Sequence, residues 1–206
     1  MSMYSTMKLQ LQQSYDRQAR ERDQFGKDHW KVAERALFLS TLREHHLNRL
    51  LEVGAGTGQD SVFFQEHGVV VTARDLSSEM IRLCRDKHLD ARQMDIYNLD
   101  FPPNSFDAIW SMNCLLHVPK ADLAEVLTGI RQVLRMEGVF YLGVYGGPDS
   151  EGIWEGDSCE PKRFFSFHTD ESLQRAVAQH FRILCFRPVD YGHPLLHLQS
   201  LMLQKV

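Results

Sequence analysis

Three glycines on alternate positions, Gly54-Ala55-Gly56-Thr57-Gly58, follow the apolar run Leu50-Leu51-Glu52-Val53 and precede a helical pattern. Glycine at such a seam costs backbone entropy. It also leaves bare backbone against which a ligand can lie. The loop lacks the Gly-Lys-Ser/Thr of a phosphate-cradling P-loop, and Gln59 stands where a G-x-G-x-x-G fingerprint needs its third glycine. For any one of these glycines, a tight turn with positive φ is an equal explanation. Asp75 closes the next strand, roughly 20 residues on, where a carboxylate can take two ribose hydroxyls. Capping the helix that follows is its competing role. Asp95 can accept from an exocyclic amine while Met94 packs a flat ring, or Met94 is plain core. His117, in Asn113-Cys114-Leu115-Leu116-His117, titrates near working pH. It is the candidate general base, or else a structural wall of the site.

The elements that must position these residues alternate between strand and helix. Residues 49–54 read as a buried strand and 58–68 as a helix closed by Gly68. A second strand, 69–75, precedes a helix over 77–87, with Ser77 as N-cap and Glu79 in its first turn. Short strands follow at 90–95 and 106–113. The clearest helix starts at Lys120, buries Leu123, Val126, Leu127, Ile130, Val133 and Leu134, and ends at Gly138. Residues 139–147 form a fifth strand. A helix capped by Thr169 leads to two late strands joined by a short link, which must pair antiparallel. Upstream, a helix over 28–46 presents Trp30, Ala33, Leu37, Phe38 and Leu42 on one face. The first fifteen or so residues are polar and are expected to stay disordered until something docks on them. Repeated strand–helix–strand units imply an α/β, doubly wound, mostly parallel sheet with helices on both faces. Ligands bind such sheets at the carboxyl ends of the strands near the switch point, where the glycine loop lies.

Length and charge bound the function. The 206 residues and 43% hydrophobic content suit one domain with a full core. A net charge of -4 gives no basic field for nucleic acid. Cys84, Cys114, Cys159 and Cys185 lack metal-ligand or redox spacing, and free thiols suit a reducing compartment. With no apolar signal core and no bilayer-length run, a cytoplasmic chain without membrane contact or bound metal is expected.

The four blocks at 51–60 (LEVGAGTGQD), 71–81 (VTARDLSSEMI), 93–118 (QMDIYNLDFPPNSFDAIWSMNCLLHV) and 134–145 (LRMEGVFYLGVY) resemble the class I S-adenosylmethionine-dependent methyltransferases. It is the spacing of the blocks, over residues 48 to 145, that makes the match specific. The resemblance implies a seven-stranded sheet with the last strand antiparallel. It implies that Gly54, Gly56, Thr57 and Gly58 line the methionine portion of S-adenosylmethionine, that Glu52 supports the loop, and that Asp75 holds the ribose. Asp95 would reach the adenine amine, with Leu76, Met80, Met94 and Ile96 around the ring. Asn113 and Leu115 would pass close to the sulfonium, and Tyr15 would meet the cofactor carboxylate, with Tyr4 also in the covering segment. A sulfonium cation suits a pocket holding Glu52, Asp75 and Asp95 better than a pyrophosphate would. Arg74 departs from the family pattern, which has a small or apolar residue before the ribose acid.

The resulting division is an N-terminal helical lid (1–47), a cofactor-binding core (48–145), an acceptor-site loop (146–168) and a C-terminal helix with a strand hairpin (169–206). The loop is rich in Gly, Pro and acids. Trp154 and Arg163 in it, with Trp30 and Tyr145, are the candidate acceptor-binding residues. The expected activity is in-line methyl transfer to nitrogen or oxygen of a small molecule, by a monomer or homodimer. The alternatives are a protein or RNA acceptor, or a protein that holds S-adenosylmethionine without turnover. The strand-end Asn113-Cys114-Leu115 does not match the Asn/Asp-Pro-Pro-aromatic pattern of enzymes that methylate planar amino groups.

Overall fold

The computed structural model describes residues 3–206, with side chains from residue 6 onward, so the side chain of Tyr4 lies outside the described residues. The described residues form nine strands, six α-helices and one 3-10 turn. β1 (Arg49–Val53), β2 (Val70–Asp75), β3 (Asp90–Gln93), β4 (Phe106–Met112), β5 (Leu134–Gly146), β8 (Arg182–Val189) and β9 (His197–Gln204) form one seven-stranded sheet, ordered β3-β2-β1-β4-β5-β9-β8. β1 pairs parallel with both β2 and β4. β9 runs antiparallel to both β5 and β8. The strand order therefore reverses at β1 and β4, and the glycine loop leaves β1 at that crevice.

Alternate residues of the strands face opposite layers. In β4, Ile109 joins the core under α5 (Leu123–Val133) and α6 (Asp170–Ala178), while Ala108 and Trp110 join the core under α2 (His29–Glu44) and α3 (Gln59–Glu66). Trp110 stacks on Tyr141 at 4.0 Å between centroids, with Phe38 against both. α4 (Ser78–Asp86) caps the third cluster through Ile81 and Cys84.

Four expectations are corrected. α1 is an ordered helix over Met3–Gln24, not a disordered tail. Polar contacts with the body hold it: Asp16 accepts from the Ser77 hydroxyl at 2.5 Å and from the Glu79 amide at 3.1 Å, so it caps α4 from another element. Lys87 binds Asp23 at 2.6 Å, and Gln59 Nε2 donates to the Phe25 carbonyl just past the end of α1. On α2 the buried face is Glu34, Phe38, Leu39 and Leu42, while Ala33 and Leu37 are exposed. Glu34 is tolerated inside because Tyr141 (3.0 Å), Ser200 (2.6 Å) and Arg187 (2.8 Å) donate to it. α5 ends at Val133 and β5 begins at Leu134, which pairs with Phe106 ahead of a bulge, so Gly138 lies within the strand. Residues 146–168 are not all loop: β6 (Ser150–Ile153) and β7 (Phe164–Phe167) form an antiparallel hairpin.

Candidate active site

A cavity of about 620 Å³ opens at the carboxyl ends of β1, β2 and β4 and is roofed by α1. Gly54, Gly56 and Gly58 all take positive φ (75°, 54° and 81°). Their environments differ. A Cβ on Gly54 would lie 2.5 Å from Cys114 Cβ, and one on Gly58 would lie 2.6 Å from Leu89. A Cβ on Gly56 would meet nothing within 4 Å. Gly54 and Gly58 are therefore glycine for the fold, and Gly56 is bare toward the cavity. Gly58 does not line it; its left-handed conformation starts α3.

Asp75 ties the loop to the next element. Its Oδ2 accepts from the Gly56 amide and its Oδ1 from the Ser77 amide, both at 2.8 Å. Burial raises its pKa and these bonds pull it back. The capping role falls to Ser77, which accepts from the Met80 amide. Glu52 lies beneath the loop, bonded by the Ser61 hydroxyl. Burial, then the nearby Asp60 charge, push its carboxyl up to about 8. Glu52 thus contributes less negative charge at neutral pH than its residue type suggests. Asp60 itself is held by Lys27 at 2.8 Å and by the Trp110 indole at 3.3 Å.

Leu76, Met80, Met94, Asp95 and Ile96 line the cavity together, beyond Asp75. Asp95 forms an ion pair with Lys8 of α1 at 2.5 Å. Thr57 and Asn113 line it as well. Asn113 is left-handed (φ 56°), its amide bonded to the Gly143 carbonyl at 2.7 Å, and its Oδ1 is buried without a partner. Arg74, unusual at its position, turns under the strand edge. Its guanidinium donates to the Ala73 carbonyl at 2.7 Å and stacks over Phe101.

Several expected placements fail. Leu115 opens a 3-10 turn (Leu115–His117), is buried in the core and does not line the cavity. Trp30 and Tyr145 pack against each other and Tyr191, with centroids 4.8–6.1 Å apart, outside the cavity. Trp154 packs edge-on to Phe165 on the hairpin. Arg163 is saturated: Asp157 grips it at 2.7 and 2.9 Å, and its Nη1 donates to the Tyr15 hydroxyl at 3.0 Å.

Tyr15 in turn lies 2.7 Å from His117 Nε2, and His117 Nδ1 lies 2.7 Å from the Phe164 carbonyl. Burial lowers the His117 pKa to about 3, helped by the Arg163 and Arg22 charges. A depressed histidine destabilises when it must protonate. The unfolded chain takes up that proton between the free pKa of about 6.5 and the folded value of about 3, so stability falls as pH falls through that window. Between pH 7 and pH 5, wild-type unfolding free energy should drop by about 2 kcal/mol more than that of His117→Gln in urea titrations. Equal drops would show that His117 is not held neutral.

Phe164 of the 146–168 segment, expected as an apolar wall, lines the cavity, and so do residues without a site role in the sequence expectation, among them Lys8, Leu11, Gln18 and Arg22 of α1, Lys27 after it, and Ser158. No motif marked them, because they reach the cavity only through the docking of α1 and β6–β7.

Comparison with known proteins agrees with this geometry. Residues 50–138 match the model of the methyltransferase domain family. The chain is 33% identical over 140 residues to a phosphatidylethanolamine N-methyltransferase of Cereibacter sphaeroides, covering 63% of this chain and 68% of that protein. The chain belongs to the class I S-adenosylmethionine-dependent methyltransferases. A malonyl-[acyl-carrier protein] O-methyltransferase of Laribacter hongkongensis is 29% identical over 164 residues, which is 71% of this methyltransferase and 54% of the relative. Among solved structures, a 1,6-didemethyltoxoflavin-N1-methyltransferase of Burkholderia thailandensis, crystallised with 1,6-didemethyltoxoflavin and S-adenosylhomocysteine, superposes with TM-score 0.75 at 21% identity, over 100% of this chain and 92% of that one. The [4+2]-cyclase SpnF superposes at 0.73 with 19% identity, over 97% of each. One fold thus carries two chemistries, so these structural likenesses fix the architecture and not the reaction.

The residues present fit S-adenosylmethionine. Gly56 leaves backbone bare on the cavity, and Asp75 and Asp95 line it with carboxylates. Among the described residues no helix is long and apolar enough to cross a membrane.

Proposed function

We propose that this chain transfers the methyl group of S-adenosylmethionine to a small-molecule acceptor. The observation that carries it is the cavity itself, in which the bare Gly56 backbone and Asp75 share one chamber with His117 and Phe164 under the roof of α1. A chamber of about 620 Å³ suits a cofactor with a small second ligand. The cofactor supplies an already activated methyl group. The chain's residues bind, orient and exclude water. Asp75 holds the ribose, and Asp95, Met94, Leu76 and Ile96 surround the adenine once Lys8 shares Asp95. Gly54, Gly56 and Asn113 run along the methionine portion, and α1 covers both ligands. Alignment and desolvation then carry much of the rate.

Calorimetric titration of ligand-stripped protein tests the cofactor class. Micromolar binding of S-adenosylmethionine and S-adenosylhomocysteine is expected, and none of NADH. Binding of neither sulfur compound would overturn the assignment. Binding without transfer to any acceptor would recast the protein as a holder of the cofactor.

A further inference from the structure

The roof of the cavity is held unlike the rest of the fold. None of the described side chains of α1 belongs to the three hydrophobic clusters or packs against them. Among these side chains only Ser14 and Ala19 are fully buried. The apolar Met7 and Leu11 line the cavity instead, so a bound ligand is what completes their burial. The hold on the body is polar. Lys8 pairs with Asp95 at 2.5 Å, Arg17 donates to the Glu160 carbonyl at 3.2 Å, and Tyr15 bonds His117. Asp16 meets the start of α4 and Asp23 meets Lys87 just past its end, so the two helices run side by side in the same direction. Beyond α1 the chain reaches α2 through residues 25–28, where Phe25 is exposed and a Cβ on Gly26 would meet nothing within 4 Å. Partly exposed polar contacts are each worth little. A helix that depends on them, with scant apolar burial, opens at a lower cost than the whole fold.

One of these contacts continues into the cofactor wall. The Ser77 hydroxyl has one proton, which it gives to Asp16 Oδ1 at 2.5 Å, and it accepts from the Met80 amide at 3.1 Å. The Ser77 amide donates to Asp75 Oδ1 at 2.8 Å, and Asp75 Oδ2 takes the Gly56 amide. Ser77 is fully buried. Asp16, on the roof, thus fixes the residue that fixes Asp75. We propose, on the methyl-transfer reading above, that Asp16 is a latch and a positioning residue: α1 swings on the 25–28 link to admit the cofactor, and its return brings Asp16 onto Ser77, which aligns Asp75 with the ribose. With α1 open, the Ser77 hydroxyl loses Asp16 and turns to Asp75, drawing on the lone pairs that the ribose needs. Closure and the hold on the cofactor therefore strengthen each other.

Surface plasmon resonance with S-adenosylhomocysteine over immobilised protein tests the latch. Asp16→Ala should raise koff about tenfold, the worth of a hydrogen bond to a charged group, without lowering kon. Asp16→Asn keeps an Oδ1 acceptor and should return koff to within about threefold of wild type. The 2′-deoxy analogue of S-adenosylhomocysteine tests the positioning. Wild type should bind it more weakly than the parent, and Asp16→Ala should show a much smaller difference, because Asp75 is then no longer aligned. Equal differences overturn the positioning role, and an unchanged koff overturns the latch while cofactor binding stands. No binding by wild type overturns the cofactor reading and the latch together. Hydrogen exchange of wild type keeps the test open if Asp16→Ala does not fold. Amides of residues 10–24 should exchange well before those of β4 and β5 in the free protein, and slow at least about tenfold with S-adenosylhomocysteine bound. Exchange of α1 in step with β4 and β5 would show that the roof opens only with the whole fold, and would overturn the proposal.

Discussion

Gly56→Val folds and loses S-adenosylmethionine. The two effects separate because of where this glycine points. Its added side chain meets no protein atom within 4 Å and enters the cavity that the cofactor needs. The amide that donates to Asp75 at 2.8 Å is kept, as is the carbonyl that accepts from Cys84. The cost to the fold is the left-handed backbone at φ 54°, about 1–2 kcal/mol for a residue with a Cβ. That lowers Tm by about 2–8 °C in a chain of this size. The cost to binding is steric and larger: a Kd raised at least about 100-fold, or roughly 3 kcal/mol. Calorimetry beside thermal melts checks both. A variant that melts normally and still binds would remove Gly56 from the site. Gly54→Val makes the contrast, because its Cβ strikes Cys114 at 2.5 Å and the loop itself must move.

The part of the fold written in local pattern was legible. Alternating strand and helix periods, Ser77 as a cap and the short link before the last strand all correspond to observed elements. So were the residues that the glycine loop and Asp75 bring to one crevice. What could not be read depends on partners far along the chain. α1 is polar and carries no apolar period to announce it, yet its Asp16 finds the start of α4 61 to 63 residues away. Glu34 reads as solvent-facing until Tyr141, 107 residues on, and Ser200, 166 residues on, supply donors. Arg163 looks like a free cation in an acidic loop, and the β6–β7 hairpin turns it inward onto Asp157. His117 looks like a base because its residue type titrates near neutrality, and only the Phe164 carbonyl and the Tyr15 hydroxyl reveal that both nitrogens are taken. Periodicity reports which face is apolar. It does not report which polar group has a distant mate.

That distinction sets the second large effect, Asp157→Ala. Asp157 and Arg163 are both less than a tenth exposed, and Asp157 accepts three bonds at 2.7–2.9 Å from Arg163, one of them from the backbone amide. Although burial opposes ionisation, the Arg163 bonds hold the Asp157 carboxyl well below the usual range. Its removal leaves a buried guanidinium with the Tyr15 hydroxyl and the faces of Tyr15 and Phe165, and no counter-charge. Breaking a buried pair from one side costs about 3–5 kcal/mol, so Tm should fall by about 6–20 °C. Replacing both members by apolar residues of similar size, Asp157→Leu with Arg163→Met, should recover most of that loss, because the penalty lies in the stranded charge and not in the missing attraction. A single variant within 1 kcal/mol of wild type, on the scale of an exposed pair, would show that the hairpin opens to water and that the pair holds nothing in place.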